Sequence, residues 1–306
     1  MASILPVRKT MIKKMESLIG KIVWKGRILR VALEELKNDY LEGGLKLPCI
    51  ATINDSLIVS QCLRLIKSGD LKSLAHLRYW LGPILEDIVP AQGQVLMAVD
   101  TPEYFMFIGE KIAAVQMSDL LDSDSLYRLT NRMIYNSISE FPVPRVATDA
   151  IMVNYNMVWR RLRAVSDILS SQEYECLFLL IHNKLPIPER LHRIGMKENP
   201  MCNTCPGIVS DLSHYFCTCT RTNVVWSWLR SKINNVFSVR QVSEWELLNL
   251  AFPPARNEKA LIWLVGVYVG FVWSNPTDID VDKFFGFLSF KYKQEGSRAI
   301  GRIQGL

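Results

Sequence analysis

Residues 202–220, "CNTCPGIVSDLSHYFCTCT", hold four of the seven cysteines and one of the four histidines in this chain of 306 residues. The loop inside the stretch, "PGIVSDLS", has a proline, a glycine and few apolar side chains, so it cannot bury enough surface to fold unaided. A bound metal supplies what packing does not. The spacing is Cys202-x2-Cys205-x8-His214-x4-Cys219. A C-x-x-C pair in a tight turn directs two sulfurs at one ion, each about 2.3 Å from it, and a later His and Cys one helical turn apart close a tetrahedron. Cys202, Cys205, His214 and Cys219 are therefore the candidate ligands of a structural Zn2+, with Cys217 an open alternative to Cys219. Four protein ligands leave no position for water or substrate. The eight-residue middle gap is longer than in retroviral zinc knuckles, and no strand precedes Cys202 and Cys205 as a thioredoxin-like pair would require.

The other three cysteines, Cys49, Cys62 and Cys176, stand singly in apolar stretches and read as small core residues. Seven is an odd number, and a cluster with a histidine inside it suits metal in a reducing compartment better than a disulfide framework. The N-terminus reads "ASILPVRKTMIKK", a short apolar piece followed by charges where a signal peptide would have its cleavage site. The longest apolar run, Ala260 to Trp273, is 14 residues, whereas a membrane span needs roughly 20. The expectation is a nuclear or cytoplasmic protein with no membrane partner, in which this run is a buried helix; the alternative is an interfacial or membrane helix, since Gly266 and Gly270, four apart, suit a small-residue helix contact.

Helical periodicity dominates the chain. Met11, Met15, Leu18, Ile19 and Ile22 form an apolar stripe, with Lys13, Lys14 and Lys21 outside it and a stop near Gly26. "LEGGLKLP" demands a sharp turn with positive φ, and a helix from about Ile53 to Lys67 follows. Prolines break the pattern at 83–103 and again at "EFPVPRVATD", which places a domain boundary near 145. Beyond it the pattern predicts helices over 153–169, 172–182, 223–236, 242–250, 258–273 and 281–292, with Pro188 opening and Gly195 closing a short one. The fold class expected is mainly α, with a helical part over 1–145 and an α-rich part over 146–306 that contains the small Cys/His zinc site.

Two stretches resemble a known family. "HNKLPIPERLHRIGMKENPMCNTCPGIVSDLSHYFCTCTRTNVVWSWL" (182–229) is similar to the zinc-binding region near the C-terminus of reverse transcriptases of LINE-type, non-LTR retrotransposons, through Lys184, Leu185, Pro186, Leu191, Arg193, Gly195, Cys202, Cys205, His214, Phe216, Cys219 and Trp226. "IGKIVWKGRILRVALEELKNDYLEGGLKLPCIATINDSLIVSQCLRL" (19–65) resembles the segment after the polymerase palm of the same family, through Trp24, Gly26, Arg27, Gly43, Gly44, Leu45, Leu47, Pro48 and Asn54. The resemblance implies a thumb-like N-terminal part and a C-terminal segment that holds nucleic acid. It also exposes a departure. The palm of that family presents adjacent aspartates to two magnesium ions, and no Asp-Asp pair occurs anywhere in this sequence.

Polymerase activity is accordingly not expected. Asp278, Asp280 and Asp282 alternate as they would in an acidic loop that caps a helix rather than in a nuclease centre. There is no G-x-S-x-G, Walker loop or HExxH to support another enzyme or a small-molecule substrate. The formal charge is +6, about +5 in each of residues 1–50 and 151–306 and about −4 between them. This permits binding of RNA or DNA in a non-specific, salt-sensitive way. The candidate phosphate contacts are Lys13, Lys14, Lys21, Lys25 and Arg27 at one end, and Arg160, Arg161, Arg190 and Arg193 near the zinc segment. Trp226, Trp228 and Trp263 fall on apolar stripes and read as core. The alternative expectation is a protein-interaction module, or a retroelement remnant with no selected activity, that self-associates through exposed apolar surface.

Overall fold

A glycine pair positions the part of the chain that carries the cysteines. In the computed structural model, which describes residues 7–25, 31–85, 101–116, 128–139, 155–237, 242–255, 257–277 and 279–296, the chain divides into two units. The first comprises residues 1–28 and 47–142, the second 29–46 and 143–306. Residues 29–46, which the sequence reading placed with the first half, thus pack with the second. The described residues contain helices and no strand.

The first unit contains α1 (Lys9–Val23), α3 (Ile50–Ser68), α4 (Leu71–Leu85), α5 (Glu103–Gln116) and α6 (Asn131–Ile138). Ile58, Val59, Cys62, Leu63 and Ile66 recur along α3 at helical spacing and meet Leu77 and Leu81 of α4, Ile108, Ile112 and Val115 of α5, and Ile134 of α6. Gly69, at φ +67°, ends α3 in the left-handed conformation. Burial pushes the Cys62 thiol up to about 12, so this cysteine is a neutral core residue. Cys49 departs from that expectation: it is half-buried at the N-terminus of α3, its N–H donating to the Tyr135 hydroxyl at 3.2 Å. The stripe on α1 is also unlike its expectation, because Met11, Met15, Leu18 and Ile22 are exposed and only Gly20 of that helix is buried.

The second unit opens with α2 (Leu33–Lys37) and the "EGGL" turn. Asp39 caps the turn through its carboxylate, which accepts from Leu41 N–H at 3.1 Å and pairs with Lys46 at 2.5 Å. Gly43 lies at φ +81°, and a Cβ there would sit 2.6 Å from Cζ2 of Trp159, while one on Gly44 would sit 1.9 Å from the Asn38 carbonyl oxygen. Both glycines are therefore required, the first by conformation and ring contact, the second by backbone approach. The Gly43 carbonyl accepts from Nε2–H of His182 at 2.8 Å, and the His182 ring packs between Trp159 and Phe178 at centroid distances of 4.7 and 4.5 Å. Burial lowers the pKa of this imidazole to about 4, assisted by the Lys184 charge, so it is neutral at pH 7.

The rest of this unit comprises α7 (Tyr155–Ala164), α8 (Ser171–Ile181), α9 (Pro188–Arg193), α10 (Asn223–Phe237), α11 (Glu244–Leu248), α12 (Glu258–Ser274) and α13 (Val281–Lys291). The apolar run forms α12, buried continuously from Ala260 to Val272, and no helix among the described residues is long and apolar enough to cross a membrane. Its two glycines let α8 approach: a Cβ on Gly266 would meet Leu177 at 3.0 Å and one on Gly270 would meet Glu173 at 2.6 Å. The two glycines thus serve close packing within this unit. Ser170 and Glu173 form a capping box at the start of α8, and the buried Glu173 carboxylate lies 3.1 Å from Lys291 Nζ.

Candidate metal centre

The segment between α9 and α10 is held from both sides before any ion is considered. Pro188 occupies the first turn of α9, where its missing N–H costs nothing, and Gly195 at φ +74° follows the helix end. The chain then makes one isolated antiparallel bridge, Met201 to Val209, with Cys202 N–H donating to Ile208 C=O at 2.8 Å and Ser210 N–H to Pro200 C=O at 2.9 Å. Gly207, at φ +78°, turns the chain between them. This small loop presents Cys202 and Cys205 together. Lys197 Nζ fastens its base, donating to Met201 C=O at 3.1 Å and Asn203 Oδ1 at 3.0 Å.

The other two donors come from a wide helical turn. His214 to Thr218 is π-helical, closed by Cys219 N–H donating to His214 C=O at 2.8 Å. In an α-helix, residues five apart sit about 140° round the axis from each other, so the expectation that His214 and Cys219 share a face needs the extra residue per turn that a π-turn provides. Asp211 starts this turn by accepting from His214 N–H at 2.6 Å. Phe216 is fully buried, and its carbonyl accepts from the Tyr268 hydroxyl of α12. Glu244 at the head of α11 accepts from Trp226 Nε1–H at 3.0 Å and from the Ser213 hydroxyl at 3.3 Å.

These elements bring one donor atom from each of Cys202, Cys205, His214 and Cys219 within 4.8 Å of one another. Cys219 Sγ lies 3.8 Å from Cys202 Sγ and 3.7 Å from Cys205 Sγ. Bonds of 2.3 Å at tetrahedral angles would set sulfurs about 3.8 Å apart, so the spacing fits one ion. His214 supplies the sharper test. Its Nδ1 is 3.3 Å from the Thr218 hydroxyl, whereas its Nε2 is buried with no hydrogen-bond partner. A buried polar atom left alone costs about 1–3 kcal/mol, and a metal ion bound here would satisfy it. Thr218 then fixes the ring's orientation, as outer partners of ligating histidines do.

Two further threonines tune the sulfurs. Thr220 sets its hydroxyl 3.3 Å and its N–H 3.4 Å from Cys205 Sγ, and this bonding lowers that thiol's pKa. Thr204 N–H donates to Cys202 Sγ at 3.3 Å. Cys219 goes the other way: burial pushes its thiol up to about 11, so a metal that takes it as thiolate must displace a proton. Cys217 lies outside the cluster, buried toward the α10–α11 side with its pKa raised by desolvation and by Glu244. The alternative that it replaces Cys219 is not the one the structure builds. Sequence spacing did not single out Thr204, Thr218 or Thr220, whose only signal is their position beside ligands.

The candidate phosphate contacts fare unevenly. Lys13, Lys14, Lys21 and Lys25 are exposed, as are Arg160 and Arg193, the last 3.7 Å from Glu189. Arg190 is half-buried, and Arg27 lies outside the described residues. Arg161 must be corrected. It is 3% exposed, with Nη1 donating to the carbonyls of Leu250 at 2.8 Å and Phe252 at 2.5 Å, Nη2 donating to Glu258 at 2.7 Å, and its guanidinium 4.3 Å from the Phe252 ring centroid. Its donors serve the core, not a ligand. Trp226 and Trp263 are buried as expected, and Trp228 is half-buried against Phe284 and Phe285. Of the alternate aspartates, Asp280 caps α13 by accepting from Lys283 N–H at 2.7 Å, Asp282 is in the first turn, and Asp278 lies outside the described residues.

Residues 146–226 match the family model of the zinc-binding domain in reverse transcriptase. The match takes in all four cluster residues and ends at Trp226. No curated protein and no solved structure matches the chain.

Proposed function

We propose that this chain is a non-catalytic segment related to a LINE-type reverse transcriptase, stapled by one structural Zn2+ and holding RNA or DNA through phosphate contacts. The closed Cys3His set inside a region that matches a zinc-binding reverse transcriptase domain carries the reading. The cysteines and Nε2 of His214 hold the ion, which supplies cross-linking and no chemistry, because no coordination position is left over. Catalysis by the family's polymerase route needs paired carboxylates for two metal ions, and the sequence has no Asp-Asp pair.

Affinity for nucleic acid is supported by α1 and by Lys25 just beyond its end. Lys13, Lys14, Lys21 and Lys25 are exposed and have no acidic partner among the described residues, and Lys14 and Lys21, two turns apart, lie on one face. Four such contacts to a single strand would give a slope of log K against log salt near −2.8, an affinity loss of about 50-fold between 50 and 200 mM. Fluorescence anisotropy with labelled single-stranded RNA and DNA measures it. Failure to bind at 50 mM salt refutes the reading.

A second reading rests on the same helix. Met11, Met15, Leu18 and Ile22 form a continuous exposed stripe, 44–77% accessible, of the kind that marks contact with another protein or a second copy. Sedimentation analysis separates the two: a monomer that binds nucleic acid favours the first, an oligomer that does not bind favours the second.

A further inference from the structure

The first unit contains a pocket of about 450 Å3 between α3 and the start of α6. Arg64 and Lys67, three apart on α3, line the pocket, as does Arg132 in the first turn of α6. Arg64 and Arg132 are exposed and have no carboxylate partner among the described residues. The two helices are tied together by the Ser60 hydroxyl, which donates to Oδ1 of Asn131. Buried Leu63 and Ile134 form an apolar floor.

The chemistry of such a pocket is that of an anion site with an apolar base. The exposed Arg64 and Arg132 and the half-buried Lys67, from two helices, line one pocket. The Thr130 side chain accepts from Met133 N–H at 3.3 Å, and the N–H groups of Asn131 and Arg132, which open α6, have no partner within their own helix. Positive side chains and backbone donors of this kind together favour phosphate. The volume exceeds what a bare phosphate fills and lies in the range of small-ligand pockets, roughly 300–1,000 Å3. An apolar floor beside cations suits a nucleotide, whose sugar or base lies on the floor while its phosphate meets the arginines.

We propose that this pocket binds the phosphate of a nucleotide, either free or within a single strand. The proposal deepens the nucleic-acid reading by adding a site in the first unit that is separate from the α1 lysines. It is tested on the zinc-loaded full chain with two probes, adenosine monophosphate and a fluorescently labelled 12-mer of single-stranded DNA. In Arg64→Gln/Arg132→Gln the salt slope should fall by about 1.4, two contacts at about 0.7 each. The wild type should then lose about sevenfold more affinity than the variant between 50 and 200 mM salt. Arg64→Lys/Arg132→Lys keeps both charges and should keep the slope, and it remains informative if the glutamine variant folds poorly. Competition by adenosine monophosphate in the wild type alone assigns the pocket to a free nucleotide. Its failure to compete, with the variant still weakened on the 12-mer, assigns the pocket to a phosphate within a strand. Unchanged affinity and slope in the glutamine variant overturn the pocket and leave the α1 reading standing, whereas a wild type that binds neither probe overturns both.

Discussion

Replacing Arg161 by methionine keeps the aliphatic stem and removes the guanidinium. In the native chain that group satisfies the Leu250 and Phe252 carbonyls and pairs with Glu258. Leu250 and Phe252 are themselves fully buried, and Leu250 is held at φ +56°, so water cannot replace the lost donor without opening the turn. Two orphaned buried carbonyls cost at least about 1 kcal/mol each. Glu258, with its side chain 35% accessible, recovers part of its loss by hydration and adds less. Breaking a buried ion pair by removing one partner costs about 3–5 kcal/mol, and the partial exposure of Glu258 puts this case near 3. That is a large share of the 5–15 kcal/mol typical of a whole domain. Urea unfolding followed by tryptophan fluorescence reads it, with Glu258→Gln as a companion that should cost less than the methionine variant because both carbonyls keep their donor. A stability change below about 0.5 kcal/mol would refute the assignment. So would a variant that folds normally yet loses salt-sensitive nucleic-acid binding, because that is the signature of a surface phosphate contact.

Two other outcomes follow from the same unit. His182 is neutral in the folded chain with a pKa of about 4 against 6.5 unfolded; between those values the unfolded state binds the proton first, so stability falls as pH falls. At 1.36 kcal/mol per pH unit the loss by pH 4 is about 3 kcal/mol, and His182→Gln, which keeps a donor for the Gly43 carbonyl, should flatten that part of the pH profile; identical profiles for wild type and variant would contradict it. Metal analysis of the purified chain should find one equivalent of zinc, lost in Cys205→Ser and retained in Cys217→Ser. Because a structural zinc contributes on the order of 10–16 kcal/mol in small finger peptides, chelation should also abolish the cooperative unfolding of the second unit. Zinc retained in Cys205→Ser, or lost in Cys217→Ser, would overturn the ligand set.

Spacing alone was enough for much of this protein. Helical periodicity anticipated α8, α10, α12 and α13 to within about two residues at each end because each carries a long apolar pattern that only a helix can bury. The four members of the candidate cluster were legible because softness and spacing are properties of residue type. The GG turn was legible as well, since a left-handed φ is a demand that glycine answers.

Other features depend on neighbours distant in sequence. The stripe on α1 reads like any buried face, yet whether it is covered depends on which helices reach it, and Met11, Met15, Leu18 and Ile22 stay exposed. Arg161 looks like its exposed neighbour Arg160 in the sequence "WRRLR"; only the arrival of Leu250, Phe252 and Glu258 makes one a core donor and leaves the other at the surface. Residues 29–46 joined the second unit because Trp159 and His182 offer Gly43 a ring and a donor, contacts that no local pattern announces. Cys217 and Cys219 are two positions apart and chemically identical, and the π-turn after Ser213 sends one into the core and the other to the Cys/His cluster. The sequence by itself determined the kinds of donors, the helices and the turns that must exist. The tertiary structure decided which of two like side chains faces solvent, the core or the Cys/His cluster, because that choice is made by packing between segments far apart in the chain.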